Sequence, residues 1–185
     1  MRTLLLVFFL FSIQQTSSQN YESIDSIVST YPKKFKSIED FASRIRLDFK
    51  TDLDKTRAAY YWIANNITYD YKLSRKEPNS FKIKSKSKSD YEAKFYALKR
   101  KYALKVLRKR FAICEGYSQL LTEVLKDLDI ISVVVSGFAK RSPNEIGRKR
   151  NSSNHAWNAV RIEDKWHLID VTWSTGNSLY NSEFF

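Results

Sequence analysis

The sequence predicts an α+β fold, helices first and an antiparallel sheet last, on three observations. Apolar residues recur at helical spacing, most clearly Leu120, Leu121, Val124, Leu125 and Leu128. A β-branched run from Ile130 to Phe138 follows and reads as a buried strand. Two more strand-like segments, His155 to Ile162 and Trp166 to Thr172, flank Glu163-Asp164-Lys165.

The elements before these are justified in order. Arg2, the apolar run Leu4 to Ile13 and the small residues Thr16-Ser17-Ser18 predict a signal peptide over 1–18, and so a secreted or periplasmic protein. That run falls well short of the roughly twenty residues that span a bilayer, and the mature chain is expected to have no transmembrane span. Residues 19–51 form an N-terminal helical segment. Ile24, Ile27 and Val28 share one face, and Ser37-Ile38-Glu39-Asp40 reads as a capped start of a second helix through Phe49. A third runs from Lys55 to about Ile67, capped by Asp52 or Asp54, with Ala59, Trp62, Ile63 and Ile67 on one side. Tyr71 to Ser89 has no hydrophobic period and is expected to be a mobile loop, with a basic insertion at 72–89. Asp90 or Glu92 begins a further helix, best marked over Tyr96 to Arg110, and Arg141 to Ser153 reads as a polar loop.

Charge is uneven. Lys72 to Arg110 holds fifteen Lys and Arg and three acids, a balance of 15 − 3 = +12 that equals the net charge of the whole chain. The bland reading is a solvated insertion and one basic helix face; the sharper one is a patch for an anionic envelope or cell-surface polymer. Nucleic acid is not expected as a partner, since no nucleic-acid-binding motif accompanies the charge. One Cys and two His offer no zinc spacing and no glycine-rich phosphate loop is present, so neither metal nor cofactor is expected.

Cys114 is the only cysteine, so an exported chain has no disulfide partner for it. It stands where a loop becomes a helix, and the dipole and free N–H groups there favour thiolate; an inert core thiol is the alternative. A nucleophilic thiolate needs a base and a group that orients the base. With a two-residue turn at Asp164-Lys165, paired positions sum to 329. His155 and Asp170 then share a face, with Trp157 beside His155, and His167 points the other way. In that register Asp170 lies opposite Ala159, roughly 13 Å along the strand from His155. A different turn, a bulge or strong twist has to close the gap. Trp157 and Trp173 are candidate walls of a substrate cleft around the pair.

The stretches Arg110-Phe-Ala-Ile-Cys114-Glu-Gly-Tyr-Ser118, Asn154-His155-Ala-Trp-Asn-Ala-Val160 and Trp166-His-Leu-Ile-Asp170-Val-Thr-Trp173 resemble the three signature blocks of the transglutaminase-like superfamily. Lys55-Thr-Arg-Ala-Ala-Tyr-Tyr-Trp-Ile-Ala-Asn-Asn-Ile-Thr-Tyr-Asp70 resembles the helix that precedes them. The resemblance implies a papain-like domain over 52–185, with Cys114 on a helix N-terminus and His155 and Asp170 on neighbouring strands. It also implies the roles of nucleophile, general acid/base and orienter. The branch resembles exported bacterial proteins, some of whose relatives are called kyphoscoliosis-type peptidases. The expected activity is thiol-dependent acyl transfer on amide bonds of proteins or peptides through a thioester, hydrolysis favoured over cross-linking. The alternative is a catalytically silent binding module at the cell envelope. The family usually continues beyond the last block, where here only Ser174 to Phe185 follow, so an unusually short or truncated domain is expected.

Overall fold

Side-chain oxygens decide where most of the helices begin. The computed structural model describes residues 21–75, 83–140, 142–148 and 152–175. The expected signal peptide, residues 76–82 of the basic insertion and the tail from 176 lie outside them. The helices are α1 (Glu22–Ser29), α2 (Ile38–Asp48), α3 (Asp52–Asn66), α4 (Tyr71–Ser74), α5 (Lys88–Lys109) and α6 (Cys114–Asp127). Ser37 Oγ accepts from the Asp40 N–H at 3.1 Å and starts α2 as expected. Thr51, not Asp52 or Asp54, caps α3 by accepting from the Asp54 N–H at 3.1 Å. Ser87 caps α5 in the same way through Asp90, so this helix starts well before Tyr96. Its first half is exposed on nearly every side, and without a buried stripe it shows no hydrophobic period.

The expected mobile loop is partly ordered. Asp70 caps the short α4 by accepting from Leu73 N–H at 2.9 Å. Ahead of α5, Lys86 N–H donates to Asp90 Oδ2 at 2.8 Å and Lys94 Nζ donates to Lys84 O at 2.9 Å.

The strands are β1 (Thr68–Tyr69), β2 (Phe111–Ala112), β3 (Ser132–Gly137), β4 (His155–Ile162) and β5 (Lys165–Ile169). β1 pairs parallel with β2, whereas β3, β4 and β5 form an antiparallel sheet in that order. β3 is an edge strand and half-exposed rather than buried: Val133 is 47% exposed, because no described element covers that face.

The hairpin between β4 and β5 departs from the expected register. Ile162 pairs with Lys165, so Glu163 and Asp164 form the turn, with φ of 49° and 61°. Both lie in the left-handed region that two-residue hairpin turns demand, and Arg161 donates to Asp164 Oδ1 at 2.8 Å. Paired positions therefore sum to 327. The shift is two residues, so every side chain keeps its expected face while Asp170 moves two positions nearer His155. β5 ends at Ile169, short of Thr172, and the chain turns away at Asp170.

Helix α6 is the centre of the core. Tyr117, Leu120, Leu121, Val124 and Leu125 are fully buried against α2, α3 and α5 on one side and the sheet on the other. Tyr117 donates its hydroxyl to Ile67 O at 2.8 Å, joining α6 to the end of α3. Arg100 of α5 binds Glu39 of α2 and Glu123 and Asp127 of α6, so one guanidinium ties three helices. Among the described residues no helix is long and apolar enough to cross a membrane.

Candidate active site

The first turn of α6 is chemically unusual among the helix starts. Its N-cap is Ile113, whose side chain has no acceptor, so no side-chain cap occupies the turn. The Gly116 N–H turns back to Ile113 O at 2.8 Å, and the Glu115 N–H, at the positive end of the helix dipole, is left for the thiol. Cys114 is the first helical residue, and its thiol, half-buried, receives hydrogen bonds from the backbone N–H of Glu115 and Ala156.

Gly116 lets this turn sit where it does. A Cβ at position 116 would lie 2.8 Å from the Ala112 Cβ, 3.0 Å from the Tyr102 hydroxyl and 3.1 Å from Val106 Cγ2. Gly116→Ala is expected to push the turn off β2 and α5, costing about 1–3 kcal/mol as an overpacked contact. A thermal melt unchanged within a degree would refute this close packing.

His155 opens β4, and the residue before it fixes the approach. Asn154 accepts from Ala139 N–H at 2.8 Å and donates to Ala139 O at 3.0 Å, fastening the mouth of β4 to the chain after β3. His155 Nε2–H donates to Asp170 Oδ2 at 2.6 Å, which leaves Nδ1 for the thiol. The other carboxylate oxygen, Oδ1, accepts from Trp173 N–H at 3.2 Å. The turn that carries Asp170 is tied back to α3 through Ser174, whose Oγ donates to Asp170 O and meets the Tyr60 hydroxyl.

The electrostatics follow from these contacts. Burial opposes ionisation of Cys114, but the hydrogen bond and charge of His155, with the two backbone N–H groups, bring its pKa below the ordinary thiol value. Burial likewise opposes charging of His155, yet hydrogen bonds to Asp170 and Cys114 and their negative charges raise it to about 9. A thiolate and an imidazolium thus stabilise each other beside a carboxylate.

The structure brings Cys114, His155 and Asp170 together and keeps His167 away. His167 is exposed and pairs with Val160 on the other face of the sheet. Trp157 and Trp173 both touch the imidazole, with ring centroids 5.9 and 5.2 Å away, the second nearly parallel at 22°. Trp157 is half-buried, with its ring laid over Gly137, where a Cβ would fall 2.3 Å from it, and Trp173 is 56% exposed.

Sequence reasoning missed three residues of the surroundings: Asn154, Gly116 and Asn158. Asn158 is fully buried, and its Nδ2 donates to Ser118 O at 3.0 Å and Thr122 Oγ1 at 2.9 Å, pinning β4 to α6. A lone amide at an inward position of an apolar strand was the available signal, since a buried amide requires partners. Among the described residues no group of three or more His, Cys, Asp or Glu could hold a metal ion.

A family model described as the transglutaminase-like superfamily matches residues 39–171. The kyphoscoliosis peptidases of Homo sapiens and Mus musculus are each 26% identical to the chain. The human match runs over 178 residues, 90% of this chain and 24% of that protein, and the mouse match over 176, 89% and 23%. The chain therefore spans about a quarter of the length of these relatives. A solved structure described as the crystal structure of a TGase aligns with 95% of this chain and 38% of its own, at 19% identity and a TM-score of 0.46.

Proposed function

The chain belongs to the transglutaminase-like superfamily, and from that premise we propose that it is an exported, cysteine-dependent acyl-transfer enzyme acting on amide bonds of proteins or peptides. The Cys114 thiolate attacks the amide carbonyl carbon and forms a C–S bond. The oxyanion is received at the open first turn of α6. The C–N bond breaks as the His155 imidazolium gives its Nδ1 proton to the leaving amine, and a thioester remains. Neutral His155 then takes a proton from the water that attacks the thioester. The acid leaves and the thiolate–imidazolium pair returns. Asp170 holds the imidazole in the tautomer both half-reactions need. Hydrolysis is favoured over cross-linking; the two matched relatives are both named peptidases. Export is inferred from the Arg2–Ser18 pattern.

The observation that carries this reading is geometric: Cys114 opens α6 beside His155, and Asp170 Oδ2 holds the far nitrogen of that imidazole at 2.6 Å. Iodoacetamide alkylation of the full mature chain across pH tests it. Alkylation is expected already near pH 6, far below the ordinary thiol midpoint of about 8.5. Acyl transfer, which also needs imidazolium, is expected to fall as pH rises through about 9, where the His155 proton is lost. A single alkylation midpoint near 8.5 would sink the enzyme reading.

A further inference from the structure

The outer half of α5 is an unusual surface. Tyr91, Phe95 and Leu98 are 44%, 37% and 42% exposed, although each is large and apolar. With Tyr102 they are spaced four, three and four residues apart, which places them in one row along the helix. Tyr91 and Phe95 stack on each other, with centroids 6.0 Å apart and planes 10° from parallel. The row ends at the candidate active site: the Tyr102 hydroxyl is 3.0 Å from where a Gly116 Cβ would stand, inside the turn that carries Cys114. Burial, with the added charges of Glu115, Cys114 and Asp70, raises the Tyr102 pKa to about 12.

Lysines border the row. By helical spacing Lys101 and Lys105 run along one side with Lys94, which is held by Asp90 at 2.8 Å. Lys88 and Lys99 lie on the other side with Glu92 among them, and Lys99 Nζ is 4.5 Å from the Phe95 ring centroid.

We propose that this row is an exosite for the polypeptide substrate, taking a segment in which acidic residues stand beside aromatic or aliphatic ones. The proposal rests on the acyl-transfer reading and names its substrate class. One observation selects a peptide over a lipid surface. The row is continuous with the thiol's own helix turn, so an occupant of one leads into the other. Beside the row Tyr96, also exposed, meets Phe95 edge to face with ring centroids 6.2 Å apart and widens the aromatic surface. From Tyr91 to Tyr102 the helix rises roughly 16 Å at about 1.5 Å per residue. That matches about five residues of extended chain at about 3.3 Å each. The acidic, apolar segment therefore lies within about five residues of the amide that is attacked.

The probes are fluorescein-labelled synthetic peptides of alternating Glu and Phe, of Lys and Phe, or of Glu and Ser. Anisotropy titration of the full mature chain is expected to rank Glu/Phe at least about tenfold tighter than either control, about 1.4 kcal/mol. The double variant Tyr91→Ser with Phe95→Ser is expected to lose that preference. Both sites are exposed, so folding is expected to change little. Saturating Glu/Phe peptide is expected to slow iodoacetamide alkylation of Cys114 in the parent and not in the double variant, whose free alkylation rate equals the parent's. Equal affinity for all three peptides, or unchanged binding in the double variant, overturns the exosite. So does flotation with phosphatidylglycerol vesicles that the double variant abolishes while peptide binding stays intact. An ordinary alkylation profile with the peptide ranking intact would instead overturn the enzyme reading alone.

Discussion

Asp170→Ala is expected to lower acyl transfer by on the order of 10²–10⁴-fold, the span of a positioned acid–base group. The carboxylate does two things that alanine cannot. Its Oδ2 accepts from His155 Nε2–H at 2.6 Å, and its Oδ1 accepts from Trp173 N–H at 3.2 Å. Without it the imidazole loses the partner that turns Nδ1 toward the thiol and the charge that helps keep its pKa near 9. The imidazolium becomes a weaker partner for thiolate, and the Cys114 alkylation profile is expected to move toward an ordinary thiol. Asp170→Asn is intermediate, because an amide oxygen can serve one of the two donors while its NH₂ opposes the other. Measuring alkylation against pH for the three proteins checks the order Asp, Asn, Ala. An Ala variant that still reacts at pH 6 like the parent would remove Asp170 from the mechanism.

Trp62→Ala is expected to be the most damaging single change to the fold. Trp62 is buried at the junction of α3 with α2, its ring centroid 4.6 Å from that of Phe41 and 5.3 Å from that of Phe35. Its Nε1–H donates to Pro32 O at 3.0 Å. Truncation leaves a cavity and an unpaired carbonyl, costing about 3–5 kcal/mol, against a total stability of about 5–15 kcal/mol. A thermal melt by circular dichroism should fall by about 6–20 °C for a chain of this size. Trp62→Phe keeps most of the packing and loses the hydrogen bond, so its drop should be much smaller. A loss under about 2 °C in the alanine variant would show that the site repacks.

Much of this arrangement was legible because periodicity reports burial. The α6 heptad-like run, the Ser37 cap and the side-chain parity of the last two strands all depend on local pattern, and all three are seen. What was not legible depends on less local causes. The Glu163–Asp164 turn lacks glycine, so its left-handed backbone leaves little trace in the sequence, and the true register lies two residues from the one the sequence suggests. That slip decided the distance from His155 to Asp170 and left their faces untouched. The early start of α5 was hidden for the opposite reason: an exposed helix half has no core to impose a period on it. β-branched residues mark strands whether or not anything covers them, so the sequence alone does not distinguish the half-exposed β3 from a buried strand.

The bare N-terminus of α6 has a consequence for how this domain can be stabilised. A serine or threonine at position 113 would fill the vacant cap and, by ordinary helix energetics, add about 1 kcal/mol. The hydroxyl would compete for the Glu115 N–H that now donates to the Cys114 thiol. Ile113→Ser should therefore melt higher and react more slowly. Selection for heat resistance alone would drift toward that change, whereas selection for turnover keeps an acceptor-free side chain at the one helix end whose dipole is needed elsewhere.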